Sequence, residues 1–230
     1  MIFLTGTDTD VGKTFITKGL VFASREYGID VVSYKPIESG GVIVDGQRVS
    51  SDIDNVMGLS NLPGSHKDYN TFCLSNPLSP HLAFEKDGLS FNKSMVFEDY
   101  MRLRDKHDEV IVEGAGGIIV PIVRNQYYVY DLIKDLGLDV ILVTRTKLGT
   151  INHTLLSIEF LKYKGIEIKA VIFNGYTGSE MEDDNIKTIV EAGDIRRHYV
   201  IDKIESEDEK LIKAEFLKKF SRDDVDYLLG

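Results

Sequence analysis

The chain opens MIFLTGTDTDVGKTF, and the stretch from Gly6 ends in Gly12-Lys13-Thr14 shortly after an apolar run, Ile2–Leu4. Backbone N–H groups that follow a strand and feed a helix N-terminus bind phosphate through hydrogen bonds and the helix dipole. In that setting Lys13 reaches the β- and γ-phosphates, and the Thr14 hydroxyl ligates Mg²⁺. The usual loop has four residues between its first Gly and the Gly-Lys-Thr. Here five intervene, Thr7 to Val11, and two of them, Asp8 and Asp10, are acidic. The alternative is a Gly-rich β–α turn without a ligand, which a Gly-Lys-Thr at a strand–helix junction disfavours.

Three further clusters follow apolar runs. In SYKPIESGG, residues 33–41, Lys35 precedes Pro36, which holds the chain extended. Alone, Lys35 reads as a surface lysine and Ser39-Gly40-Gly41 as a turn. In VIVEGAGG, residues 110–117, Glu113 is an acidic strand end of the kind that helps hold Mg²⁺ in nucleotide hydrolases. Asp52 is either a second metal-directed carboxylate or an acid favoured by the helix dipole, and spacing alone favours the second. In TRTKLGTINH, residues 144–153, Gly149 to Asn152 offer free N–H groups, as every helix start does. The five His show no metal-ligand spacing and there is one Cys, which argues against zinc. Cys73 reads as a small buried hydrophobe. His81 is either a satisfied loop residue or a ligand contact.

These clusters need strand ends to hold them. Strands are expected at Ile2–Thr5, Val31–Tyr34, Val110–Glu113, Val140–Thr144 and Ala170–Asn174, several as unbroken Val/Ile/Leu runs. Helices are expected at Lys13–Tyr27, Ser51–Leu59, Ser90–Lys106 and Ile151–Lys164, the last with an apolar stripe at Ile151, Leu155, Ile158 and Leu161. Otherwise the segment Glu38–Leu89 reads as irregular, and Glu207–Phe220 as an amphipathic helix against the body. Alternation of this kind predicts an α/β fold with right-handed crossovers and one mainly parallel sheet, helices on both faces, in a single domain over 1–230. In such sheets ligands bind beyond the carboxyl ends of the strands.

Composition sets limits. The 230 residues are 43% hydrophobic and 28% charged, ordinary globular values. A net charge of −10 argues against a nucleic-acid surface. No segment has the length of a membrane span or the pattern of a signal peptide. A single cysteine suits a reducing compartment, so a cytoplasmic protein is expected.

Taken in order, GTDTDVGKT, YKPIESG, SSD, SPH, VEGAGG, TKLGTINH and VIFN resemble the dethiobiotin synthetase family from residue 1 to about 175. That family's loop is itself the Gly-x5-Gly-Lys-Thr variant. The resemblance implies a P-loop α/β homodimer. It further implies an ATP- and Mg²⁺-dependent cyclo-ligase that carboxylates 7,8-diaminopelargonic acid with CO₂ and closes a ureido ring. It assigns ATP to Asp10, Val11, Gly12, Lys13, Thr14, Phe15 and Asn174, and Mg²⁺ to Thr14, Asp52 and Glu113. Catalysis falls to Lys35, Lys13 and Thr9, in one cationic pocket shared by the triphosphate tail and the CO₂ adduct. Substrate contacts fall to Thr9, Ser39, Lys147, Gly149, Thr150 and Asn152, the tail carboxylate being gripped by the neighbouring subunit. Asp10 is expected to face an amine or the metal. The family's LGxIP segment, which helps enclose the base, is absent, and RRHYVIDKIESEDEK, residues 196–210, stands in its place.

The main rival is a dimeric regulatory ATPase of the MinD/ParA kind, with the terminal helix as a membrane anchor. That class carries an extra lysine early in its loop, where this chain has Thr7 and Asp8. A cobyrinate-type amidating synthetase needs a glutaminase domain with a nucleophilic Cys, for which this chain has neither the length nor a suitable Cys.

Overall fold

The computed structural model describes residues 1–206 and 208–230. Strand β1 (Ile2–Gly6) leads through the loop into helix α1 (Lys13–Glu26) and strand β2 (Val31–Ser39). A hairpin, β3 (Val42–Val44) and β4 (Gln47–Val49), precedes helices α2 (Ser51–Ser60) and α3 (His66–Tyr69). Then come strand β5 (Asn70–Leu74) and helices α4 (Pro80–Asp87) and α5 (Lys93–Arg104). Strand β6 (Glu109–Gly117) is followed by a small hairpin, β7 (Pro121–Val123) and β8 (Tyr127–Tyr128), and helix α6 (Val129–Leu136). The chain continues with β9 (Val140–Arg145), α7 (Thr150–Tyr163), β10 (Ile168–Tyr176), α8 (Glu180–Ala192) and β11 (His198–Asp202). It ends in α9 (Glu209–Lys219) and α10 (Arg222–Leu229).

Among the described residues, seven strands form one sheet in the order β11-β10-β9-β1-β6-β2-β5, and every pairing is parallel. Strand β1 therefore lies between β6 and β9, so its loop emerges beside Glu113 and Arg145. All carboxyl ends share one edge. The central strands are apolar throughout because helices cover both faces: Ile2–Leu4, Val110–Val112, Val140–Val143 and Val171–Phe173 are fully buried.

The five expected strands are present, and several extend further. Strand β2 runs past Pro36 because it changes partner there. Val31–Tyr34 pair with β6, whereas Lys35 and Ile37–Ser39 pair with β5, so the missing Pro N–H falls at the switch. Two strands of the central sheet escaped sequence reading, β5 and β11, as did the two small hairpins. Strands β5 and β11 are edge strands, half-exposed and mixed in polarity (NTFCL, HYVID), so neither carries the unbroken apolar run of a central strand. Thus Glu38–Leu89, read as irregular but for one helix, also holds a hairpin, a strand and two short helices.

The terminal helix starts at Glu209; Glu207, its expected first residue, lies outside the described residues. Of its four apolar positions, Ile212 and Phe216 are buried against the body, whereas Leu211 and Leu217 are 54% and 38% exposed. Phe216 sits over Gly19 of α1, where a Cβ would lie 2.1 Å from the ring. Its ring also meets Phe15 at 5.3 Å and Phe220 at 5.9 Å. This packing makes α9 part of the core. Phe216→Ala is expected to cost about 3–5 kcal/mol in urea unfolding, and Leu211→Ala less than about 0.5 kcal/mol. Equal losses would show that α9 is not seated on α1.

Candidate functional site

The loop between β1 and α1 is held in shape by its own backbone and by two strand ends. A Cβ on Gly6 would meet Val11 at 2.6 Å, and one on Gly12 would meet the Asn174 amide at 2.0 Å, so both positions exclude side chains. Gly12 (φ 95) and Asp10 (φ 58) are left-handed. Asn174 Nδ2 donates to the Val11 carbonyl at 3.0 Å, and Arg145 donates to the carbonyls of Asp10 at 2.8 Å and Thr9 at 3.3 Å. With these carbonyls tied, α1 still begins with N–H groups that have no partner inside the helix. Lys13 Nζ donates to the Asp8 carbonyl at 2.9 Å, folded back over the loop.

Around this loop lies an open cleft of about 780 Å³, lined among others by Thr9, Asp10, Lys13, Thr14, Lys35 and Ser39. Glu38, Asp52 and Glu113 line it too, as does the turn Pro77–Pro80 that enters α4. At its floor four elements meet in one ion network. Lys35 Nζ contacts Asp52 Oδ2 at 2.6 Å and donates to Glu113 Oε1 at 2.7 Å and the Gly114 carbonyl at 3.2 Å. Thr14 Oγ1 lies 2.8 Å from Asp52 Oδ1 and 2.9 Å from Glu113 Oε1. The small residues after Glu113 have a packing reason, since a Cβ on Gly114 would meet the Phe3 ring at 2.9 Å.

The electrostatics follow from burial and proximity. Burial works against the Lys35 ammonium, yet Glu113 and Asp52 outweigh it and hold its pKa above the ordinary lysine value. Burial alone would raise Asp52, but Lys35 beside it keeps its carboxyl below the usual range. Lys13 is lowered to about 8, first by burial and then by the charge of Lys35. Both ammonium-bearing residues line the same cleft. The pocket is not simply cationic, however. Four carboxylates, Asp10, Glu38, Asp52 and Glu113, line it against two ammonium groups.

One hydroxyl proton on Thr14 can serve only one of two carboxylates. The remaining oxygens form a hard, all-oxygen donor set of two carboxylates and one hydroxyl, which suits Mg²⁺. Mg²⁺ takes few protein ligands and keeps water or phosphate for the rest.

Not every expected residue reaches this cleft. The Val11 side chain is buried and Phe15 faces Phe216, so only their backbones can serve a nucleotide. Asn174 lies beside the loop, tied to Val11. Lys147, Gly149 and Asn152 are exposed at the start of α7, away from the cleft. Thr150 is buried there and donates to the Arg145 carbonyl at 2.6 Å. Asp52 is not the cap of α2; Ser50 is, accepting from Ile53 N at 3.1 Å. His81 is absent from the cleft lining, and its Nδ1 has no partner. The substituted segment 196–210 begins as β11, and Lys203 N then donates to the Tyr176 carbonyl at 2.7 Å.

Three supporting residues escaped sequence reading. Arg145 pins the loop from β9. Glu38 is buried at the end of β2, and an acid inside an otherwise buried strand was its signal. Glu182 accepts from Thr146 at 2.5 Å, Thr177 at 2.6 Å and Ser179 at 2.9 Å, joining the loops after β9 and β10. Burial pushes its carboxyl up, but these donors prevail and take it down to about 2.

A parallel sheet with a phosphate loop on its central strand, and a strand-terminal carboxylate beside it, defines a P-loop ATPase. The family model described as "AAA domain" matches residues 1–209. Solved structures of that fold include a ParA family ATPase from Chlorobium tepidum, 18% identical, covering 100% of this chain and 97% of that one, with TM-score 0.56. The cell division protein MinD from Aquifex aeolicus is 13% identical over 99% of this chain and 94% of its own, with TM-score 0.59. At such identities the likeness is one of fold. Closer in sequence is the ATP-dependent dethiobiotin synthetase BioD of Fusobacterium nucleatum, 41% identical over 86% of this chain and 90% of its own. The synthetase of the same name from Caldicellulosiruptor saccharolyticus is 36% identical over 100% and 97%. The chain belongs to the ATP-dependent dethiobiotin synthetase family.

Lys13 supplies a measurable consequence. A buried lysine whose pKa is lowered costs the folded state stability below that pKa, and the cost is relieved as pH rises from about 8 toward the unfolded value. A polyphosphate beside it favours the ammonium. Nucleotide binding at about pH 9 should therefore take up protons, and at about pH 6.5 should not. Calorimetry in buffers of different ionisation enthalpy reads this directly, and Lys13→Met should abolish the uptake. Uptake that persists in that variant would assign the proton to another group.

Proposed function

We propose that the protein is a dethiobiotin synthetase that joins CO₂ to 7,8-diaminopelargonic acid at the expense of ATP, giving dethiobiotin, ADP and phosphate. The observation that carries the reading is the shared cleft of Lys13 and Lys35 above the Thr14–Asp52–Glu113 oxygen set.

One amine of the substrate adds to CO₂ and loses a proton, forming a carbamate. As a resonance-stabilised anion, the carbamate resists attack by the second amine. Transfer of the γ-phosphoryl group to a carbamate oxygen makes a mixed carbamic–phosphoric anhydride. The second amine then attacks its carbonyl carbon, phosphate leaves, and the five-membered ureido ring closes with a new C–N bond. Holding both amines in one geometry accelerates that closure.

In this scheme Lys13 and the N–H groups from Asp10 to Phe15 bind the phosphates. Lys35, itself buried at the cleft floor, stabilises the carbamate and the phosphoryl group as it moves, by electrostatics. Thr14, Asp52 and Glu113 would hold Mg²⁺, which would supply positive charge to offset that of the phosphates. Thr9 and Ser39 contact the diamine end, and Ser39 Oγ is buried without a partner, which suits a substrate contact. Asn174 is assigned to the base by the family resemblance, with its amide nitrogen engaged by the loop and its amide oxygen left for that contact.

Lys147, Gly149, Thr150 and Asn152 are assigned to the substrate's tail carboxylate in a second subunit of a homodimer. Leu148 just before α7, Leu156 in its middle and Tyr163 at its end are exposed by 87%, 63% and 82%, which supports an interface along that helix. A cytoplasmic location fits an enzyme that draws on ATP. Among the described residues no helix is long and apolar enough to cross a membrane.

The direct test combines the protein with Mg²⁺-ATP, bicarbonate and the diamine and looks for the cyclic urea by mass. Formation of the urea, with phosphate release that depends on the diamine, is expected. Phosphate release indifferent to the diamine would point to a switch ATPase. Lys35→Gln should lower turnover about a hundred- to a thousandfold, with folding checked by circular dichroism. Normal turnover in that variant removes the central catalytic assignment.

A further inference from the structure

We propose that Glu38 is a positioning residue for the cation-binding end of the cleft: by holding the first turn of α2 it sets the Asp52 carboxylate against Thr14 and Lys35. The inference rests on the Mg²⁺ reading above and concerns a residue outside the ligand set.

Glu38 is the penultimate residue of β2 and only 4% exposed. A buried carboxylate is costly unless charge or hydrogen bonds compensate it. Among the described residues no lysine, arginine or histidine pairs with it; its partners all lie at the start of α2. Glu38 Oε1 accepts from Ser51 N at 2.9 Å and Ser51 Oγ at 2.8 Å, and Oε2 accepts from the Ser50 hydroxyl. Asp52 N lies 3.4 Å from each oxygen. The positive end of the α2 dipole takes the place of a counter-ion.

Helix termination does not require this contact, because Ser50 already caps α2 through Ile53 N. What Glu38 adds is a tether from sheet to helix. The covalent path between them, residues 39–49, leaves the site to form the exposed β3–β4 hairpin, with Ile43 62% exposed at its edge. That excursion does not fix the first turn of α2; Ile53, Val56 and Leu59 seat the body of the helix on the core, and the Glu38 carboxylate ties its first turn to β2. Asp52 is the second residue of α2, and its oxygens meet Lys35 and Thr14 at 2.6 and 2.8 Å. A shift of the first turn by about an ångström would break both contacts, given normal hydrogen-bond lengths.

Partners that orient a metal ligand typically change metal affinity about 10–100-fold when removed. The test measures Mn²⁺ binding to the full chain with ADP present, by electron paramagnetic resonance, for wild type, Glu38→Gln and Asp52→Asn. Glu38→Gln should weaken Mn²⁺ about tenfold or more, while ADP affinity in EDTA stays at the wild-type value. Excess Mg²⁺ should restore much of its turnover. If Glu38→Gln folds poorly, Ser51→Ala removes one donor and leaves the carboxylate, and the same selective loss is expected in milder form. Wild type that binds ADP but no Mn²⁺ would overturn the Mg²⁺ reading itself. Wild type that binds Mn²⁺, with Glu38→Gln binding it equally well, would overturn the positioning role alone. An equal loss of Mn²⁺ and metal-free ADP would also overturn that role, since it marks general damage to the cleft.

Discussion

The Lys35 ammonium, buried between the carboxylates of Asp52 and Glu113, is the contact on which the geometry of the cleft depends. It joins β2, α2 and β6, and the Thr14 hydroxyl ties α1 to the same two carboxylates. Removing three charges from water costs several kcal/mol per ion, and only close, well-aligned partners recover that. Here the partners are close, and the third acceptor of the ammonium, the Gly114 carbonyl, comes from a strand residue that lacks a side chain. The network therefore does two things at once. It holds four separate parts of the chain in register, and it keeps charged groups at the strand edge where apolar packing would leave nothing to react.

The charge balance of the cleft explains why an acidic protein can hold a polyanion. Four carboxylates against two ammonium groups do not attract phosphate by themselves. Phosphate affinity comes from oriented N–H groups at the start of α1, from Lys13, and from whatever cation the oxygen set holds. Polyphosphate and cation then favour each other's binding by the same factor, because coupling between sites is reciprocal. Such a site discriminates against phosphate alone. The surplus of carboxylates on the cleft wall also suits a substrate that carries amines.

What was legible in the residues follows from burial. Strands β1, β6, β9 and β10 are covered on both faces, so their continuous Val/Ile/Leu runs announced them. Strands β5 and β11 close the two edges, are short and mix polar with apolar residues in no period-two pattern, so nothing in NTFCL or HYVID set them apart from loop. Phosphate-loop residues were legible because backbone geometry demands Gly at fixed offsets from Lys13. Lys35 alone looked like a surface lysine, and Asp52 like a helix cap. Their pairing joins residues far apart in sequence, and only the order β1-β6-β2, with α2 docked beside it, brings them together. Family resemblance supplied what spacing did not. Arg145 stayed hidden for a related reason, since it supports the site through backbone carbonyls of another segment, which no side-chain pattern reports; Glu38 had a signal, an acid within a buried strand, but its partners on α2 are set only by the fold.

The fifth residue between Gly6 and Gly12 also has a physical reading. A loop that only cradles phosphate needs its N–H groups inward and its carbonyls satisfied elsewhere. In this chain the carbonyls of Thr9, Asp10 and Val11 are satisfied from outside, by Arg145 and Asn174. Asp10 adopts a left-handed conformation that Asp tolerates better than most residues. The extra length lets Thr9 and Asp10 line the cleft while Gly12 to Thr14 keep the ordinary approach to a helix start. An acid inside the cradle would repel phosphate, and the extra residue gives Thr9 and Asp10 their own stretch of cleft wall ahead of the turn from Gly12 into α1, so that the phosphate-facing N–H groups need not share their position with a carboxylate.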